Sequence, residues 1–183
     1  MMAEDRSDEQ LLRAFLAGRR PALGELARRY ERSLLGFAKG LLGGREDLAC
    51  DGVQETWVRV IRFARSFDGR SRFKTWLYRI ALTQCRNLLK MPRSATPEKL
   101  REDPVGEADP QRTAQQDDLA RRVHEVVERL PTDRREIVLL CYHAGMTHEQ
   151  AAEILEIPLG TLKSRLHAAL GELREQLSVE MKP

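Results

Sequence analysis

Apolar side chains recur at steps of three and four along nearly the whole of this 183-residue chain, a spacing that builds helices and leaves no place for strands. A half-buried strand needs apolar residues at every second position, and no segment offers that alternation. Ser7, with Gln10 three residues later, reads as a capping box ahead of Leu11, Leu12, Phe15 and Leu16, and Gly18 stops this first helix. A second helix is expected from about Pro21 through Leu26, Tyr30, Leu34 and Ala38 to Gly43. A third, from about Asp47 to Ser66, places Val53, Trp57, Val60, Ile61 and Ala64 on one stripe. Asp68-Gly69 marks a turn, and a fourth helix carries Phe73, Trp76, Leu77, Ile80 and Ala81 as far as Pro92.

Between Pro92 and Asp118 the periodicity stops. Four of the eight prolines fall there, with seven acidic residues against four basic ones and hardly a large apolar side chain, the composition of a flexible linker. Helical spacing resumes with Leu119, Val123, Val126, Val127 and Leu130, breaks at Pro131, and restarts behind Thr132 as the expected cap. The fold class is therefore all-α: two small helical domains, residues 7–92 and 118–178, joined by an acidic linker over 93–117.

The segment after Thr147 is the most specific. Thr147 and Gln150 form another capping box, opening a short helix through Ala151, Ala152, Ile154 and Leu155; after Glu156-Ile157 a new helix begins with Pro158 in its first turn. Leu159, Leu162, Leu166, Leu170, Leu173 and Leu177 share one stripe of that helix. Thr161, Ser164, His167 and Ala168 are left outward, flanked by Lys163 and Arg165. A helix with short polar side chains and flanking cations fits a DNA major groove about 12 Å wide. An ordinary helical hairpin with a solvated face is the plain alternative.

Charge is distributed unevenly. The chain carries a net charge of +3, yet Arg59 to Arg93 holds ten basic residues against the single acid Asp68, together with five of the ten aromatic rings: Phe63, Phe67, Phe73, Trp76 and Tyr78. Cations that follow a phosphate backbone beside rings on which bases stack suit single-strand binding. Phe73 and Trp76 also lie on the apolar stripe, which suits them to the core, while Tyr78 fits either place. Asp51, Gln54 and Glu55, on the polar side of the third helix, pair locally or present a docking surface to a basic partner.

Other chemistries find no seat. Three cysteines, Cys50, Cys85 and Cys141, form no CxxC pair and read as reduced core thiols. Cys141, His143 and His148 lack a fourth metal ligand, and no Ser-His-Asp order, phosphate-binding glycine loop or HExxH motif occurs. No catalytic residue, no metal and no cofactor is expected. The charged start and the lack of a long apolar run suggest a cytoplasmic location.

The runs FDGRSRFKTWLYRIAL (Phe67 to Leu82), DGVQETWVRV (Asp51 to Val60) and AAEILEIPLGTLKSRLHAAL (Ala151 to Leu170) closely resemble the two domains of bacterial sigma-70 family factors of the extracytoplasmic-function (ECF) group. The resemblance implies a sigma-2-like bundle over 7–92 and a sigma-4-like helix-turn-helix over 118–178. Such a protein binds RNA polymerase core through the beta and beta-prime subunits, recognises promoter DNA and starts transcription without being an enzyme. It implies that Asp51, Gln54 and Glu55 dock on core polymerase. Arg70, Ser71, Arg72, Phe73, Lys74, Tyr78, Arg79, Thr83 and Arg86 would then serve the minus-10 element, and Thr161, Lys163, Ser164, Arg165 and His167 the minus-35 element. An anti-sigma factor is an expected partner. The chain departs from the family's pattern at Thr83, where asparagine is frequent, at Ala168, where arginine is common, and at Glu156, where the turn usually has glycine, so a looser turn is expected there. A freestanding dimeric helix-turn-helix regulator is the alternative reading.

Overall fold

The computed structural model describes residues 6–91 and 114–180, all of the regular structure in them helical. Helix α1 (Asp8–Leu16) opens on the expected capping box: Ser7 Oγ accepts from the Gln10 amide while the Gln10 side chain accepts from the Ser7 amide. It ends at Gly18, whose φ of 91° favours glycine. Helix α2 (Arg20–Leu41) follows, then α3 (Glu46–Phe63), which tightens into a 3₁₀ turn at Ala64–Ser66, and α4 (Phe73–Lys90). Leu11 and Leu12 of α1, Leu26, Leu34 and Phe37 of α2, Val60 of α3, and Phe73, Leu77 and Leu82 of α4 are fully buried together. Helices α3 and α4 cross closely at Gly52, where a Cβ would stand 3.3 Å from Leu88 Cδ1.

The expected stripe of α3 holds at Val60 and Ala64 but not at Ile61, which is 50% exposed. One residue adds 100° of rotation, and that carries Ile61 off the face on which Val53, Trp57, Val60 and Ala64 lie.

The second group comprises α5 (Ala114–Arg129), α6 (Thr132–Val138), a π-helical turn (Leu139–His143), α7 (His148–Leu155) and α8 (Leu159–Glu180). Helix α5 starts at Ala114, earlier than the expected boundary at 118, and the rest of the expected linker, 93–113, lies outside the described residues. Thr132 is not the cap of α6. Pro131 holds that position without a side-chain bond, and its carbonyl accepts from the amides of Arg134 and Arg135. Val126, Leu130, Ile137, Leu140, Ala151, Ile154, Leu162, Leu166 and Ala169 fill the centre of this group. The buried residues of the two groups run together into one cluster, because the turn Leu139–His143 packs against α2 and α7 against α4.

Candidate nucleic-acid interface

The helix-turn-helix is built from its caps. Thr147 and Gln150 exchange the two capping-box hydrogen bonds at the start of α7, at 2.9 and 3.2 Å. At its end Glu156 adopts φ 56°, ψ 41°, and the Ile157 amide donates to Ala152 O at 3.1 Å. This closes a left-handed C-terminal cap. The looser turn expected from the missing glycine is therefore overturned: the tight geometry is kept, and a side-chain-bearing residue takes the strained conformation. Pro158 precedes the first residue of α8, and its carbonyl accepts from the Leu162 amide at 3.0 Å.

With Leu162, Leu166 and Ala169 buried, α8 turns Lys163, Ser164 and His167 fully outward, while Thr161 and Arg165 are half-buried beside them. Ser164 Oγ donates to Thr161 O, and Arg165 approaches Asp133 at 3.6 Å. The outward face is polar and cationic.

The loop 67–72 and α4 form the second surface. Asp68 Oδ1 accepts from the Arg70 amide at 3.0 Å, and Gly69, at φ 73°, makes the turn. The Arg70 side chain is 90% exposed and pairs with Asp68 at 3.1 Å, and Arg72 is exposed beside it. The N-terminus of α4 has no cap from its own segment; Glu9 of α1 accepts from the Phe73 amide at 3.1 Å, a bond that holds its carboxyl below the usual value. Ser71 and Lys74 are half-buried, and Thr83 is exposed.

Two residues assigned to this surface from sequence lie inside. Phe73 is fully buried, its ring centroid 5.9 Å from Trp76 and 6.3 Å from Phe67. Tyr78 is likewise 0% exposed, edge-on to Phe37 at 5.1 Å, with its hydroxyl 2.6 Å from Ser33 Oγ. As stacking platforms both are corrected: the rings are core, and what they offer is a rigid base for the cations above them. Arg79 and Arg86 reach across to the second group while keeping part of each side chain in solvent. Arg79 reaches Glu153 at 3.2 Å, and Arg86 makes a two-pronged bond to Glu136 at 2.7 and 2.6 Å, which raises its pKa further.

The acidic surface of α3 is in place. Gln54 is exposed, Asp51 and Glu55 are half-buried, and Glu55 pairs with Arg59 at 2.9 Å. Val58, 47% exposed, and Ile61 continue the same outer face, an apolar extension of the kind that partners cover. In the sequence Ile61 reads as core, at a helical step from Trp57, and Val58 carries no signal of its own. Of the thiols, Cys85 is buried and pushed up to about 12 by desolvation, Cys141 is half-buried, and Cys50 is exposed, contrary to the expectation of three core thiols. Among the described residues, no group of three His, Cys, Asp or Glu side chains is placed to hold a metal ion. None of the described helices is long and apolar enough to cross a membrane.

An exposed cationic helix after a tight turn, joined to a helical bundle bearing a basic loop, defines a two-part DNA-binding protein. Residues 26–93 match sigma-70 region 2, and residues 120–173 match sigma-70, region 4. The chain is 32% identical over its whole length to the ECF RNA polymerase sigma-E factor of Haemophilus influenzae, covering 99% of that protein. It is 28% identical to the RNA polymerase sigma-H factor of Pseudomonas aeruginosa, covering 97%. Its fold is similar to that of CnrH in complex with the cytosolic domain of CnrY, with a TM-score of 0.72 at 26% identity over 95% of this chain and 99% of that one. It is also similar to the sigma factor RpoE of Bartonella quintana bound to the anti-sigma factor NepR, with a TM-score of 0.62 at 25% identity over 85% and 98%. The chain belongs to the ECF sigma factors of the sigma-70 family.

Proposed function

We propose that this protein binds RNA polymerase core enzyme and carries it to promoters, where the first domain opens the minus-10 element and the second reads the minus-35 element. The outward face of α8 carries this reading: Lys163, Ser164 and His167 are exposed, on a helix whose approach angle is fixed by the capped turn before it. Lys163 and Arg165 supply phosphate charge, and Ser164 and His167 offer hydrogen bonds to base edges.

In the first domain, Arg70, Ser71, Arg72 and Lys74 surround a loop pinned at both ends, by the Asp68–Arg70 turn bond and by the Glu9 bond. A pinned loop can receive an extruded base without paying again for its own ordering. Arg79, Thr83 and Arg86 lie further along α4 and would follow the strand. Asp51, Gln54, Glu55 and the neighbouring Val58 form the surface for core polymerase, acidic at one end and apolar at the other. The step is strand exchange between stacking partners and makes no covalent bond. Likeness to a sigma factor solved with an anti-sigma factor supports a protein inhibitor as a further partner.

In vitro transcription with core polymerase and a promoter library tests the reading. New start sites are expected only when the protein is added. Binding of duplex DNA by the protein alone, with no new start sites, would overturn it in favour of a freestanding regulator.

A further inference from the structure

Two helix-interior glycines have no local reason to be where they are. Gly36 and Gly40 stand four residues apart on one face of α2, where each costs helix stability relative to alanine. The second domain supplies the reason. A Cβ on Gly36 would lie 2.6 Å from His143 Cε1, and one on Gly40 would lie 2.8 Å from Leu139 Cδ2. Leu139 and His143 are also four residues apart, on the π-helical turn, and His143 Nε2 is 2.9 Å from Ser33 O. Two side chains thus seat against two missing ones.

We infer that the Gly36–Gly40 face of α2 is an intramolecular docking seat for Leu139–His143, and that docking closes the chain into a state in which Glu136 and Glu153 take the place of DNA phosphates on Arg86 and Arg79. The charges fit. Arg79 and Arg86 sit in the most basic stretch of the chain, and the residues that meet them across the domain boundary are both glutamates, Arg79 donating to the Glu153 backbone carbonyl at 2.9 Å as well as to its carboxylate at 3.2 Å. Glu136 is 5% exposed where it meets Arg86, which remains 43% exposed, so the carboxylate is the more completely desolvated member of the pair. Meanwhile Lys163, Ser164 and His167 stay exposed. Closing therefore occupies Arg79 and Arg86 of the minus-10 surface, while Arg70, Arg72 and the minus-35 face stay exposed. A strand and the second domain compete for the same two arginines, and the apparent affinity for a strand falls by the fraction of chains that are open. The inference rests on the reading of α4 as a DNA surface but needs no inhibitor protein and no polymerase.

The test uses the full chain and two variants. Gly36→Ala/Gly40→Ala fills the seat with residues that favour the helix, so the first domain keeps its fold. Glu136→Gln/Glu153→Gln removes the competing charges and leaves the seat. Small-angle scattering reads the separation of the domains, and the anisotropy of a fluorescein-labelled oligothymidylate reads access to the arginines. The glycine variant is expected to expand and to bind the oligonucleotide about tenfold more tightly. The glutamine variant is expected to bind it more tightly too. If both variants stay as compact as the parent, or the glycine variant expands without tighter binding, the inference fails. Failure of the sigma reading looks different: no transcripts with core polymerase from parent or variants, with expansion and tighter binding intact, which leaves the seat standing.

Discussion

Glu9 does more than its place in a first turn suggests. Its carboxylate caps a helix 64 residues away and so fixes the loop 67–72 on which the minus-10 surface is built. Glu9→Ala is expected to cost about 1 kcal/mol, the usual value of a lost helix cap, measured by urea denaturation at pH 7. The folded-state pKa is lowered, so this stabilisation is complete above the ordinary value of 4.5 and is lost as the pH falls through the lower folded value. The gap between parent and variant should close in that acid range and at no higher pH; a gap unchanged down to pH 2 would assign the effect to packing. Glu156 poses the opposite case, a residue that strains its own turn at φ 56°. Glu156→Gly should raise stability by about 1 kcal/mol, seen as a higher denaturation midpoint, because glycine holds the left-handed conformation without a Cβ clash.

Among the elements, those whose boundaries rest on local chemistry were legible in sequence. Both capping boxes, the stop at Gly18 and the polar face of α8 depend on residues within four positions of one another. Sequence reasoning failed where the answer depended on which neighbour lay across the fold. Tyr78, with its polar tip, fits surface or core by sequence, and Ser33, 45 residues earlier, decides for the core by satisfying its hydroxyl there. Ile61 reads as core, yet it stays 50% exposed on the wall of an open pocket shared with Phe15, Leu16 and Arg20. Glu136 and Glu153 drew no notice, since a carboxylate on a helix is ordinary until an arginine from another domain is found against it. For α8, Lys163→Ala should weaken minus-35 binding about equally on all sequences and lower the slope of log affinity against log salt by about 1. Ser164→Ala should cost about 1 kcal/mol of discrimination between base pairs. Binding measured at three salt concentrations on matched and mismatched duplexes separates the two, and identical profiles would dissolve the division between phosphate and base contacts.

For the molecule as a whole, the contact between Arg86 and Glu136 is lopsided, and the imbalance predicts how each side responds to removal. Arg86→Ala strands a carboxylate that is 5% exposed, and a stranded buried charge costs more than the loss of its bond. Glu136→Gln strands an arginine that is 43% exposed and can return to water. Arg86→Ala should therefore open the chain further than Glu136→Gln, although it removes the same pair. Separation of the domains relieves the stranded carboxylate wherever it stays ionised, so the strain should appear as expansion in solution scattering with the melting of each domain unchanged. In the double variant Arg86→Ala/Glu136→Gln no charge is stranded, and the chain should close again partway. The coupling between the two sites should come to about 1–2 kcal/mol, the lower part of the range for neighbouring charged groups because water still reaches Arg86. A double variant as open as the sum of its parts would mean that the pair contributes nothing to closure and that the seat on α2 holds the domains together alone.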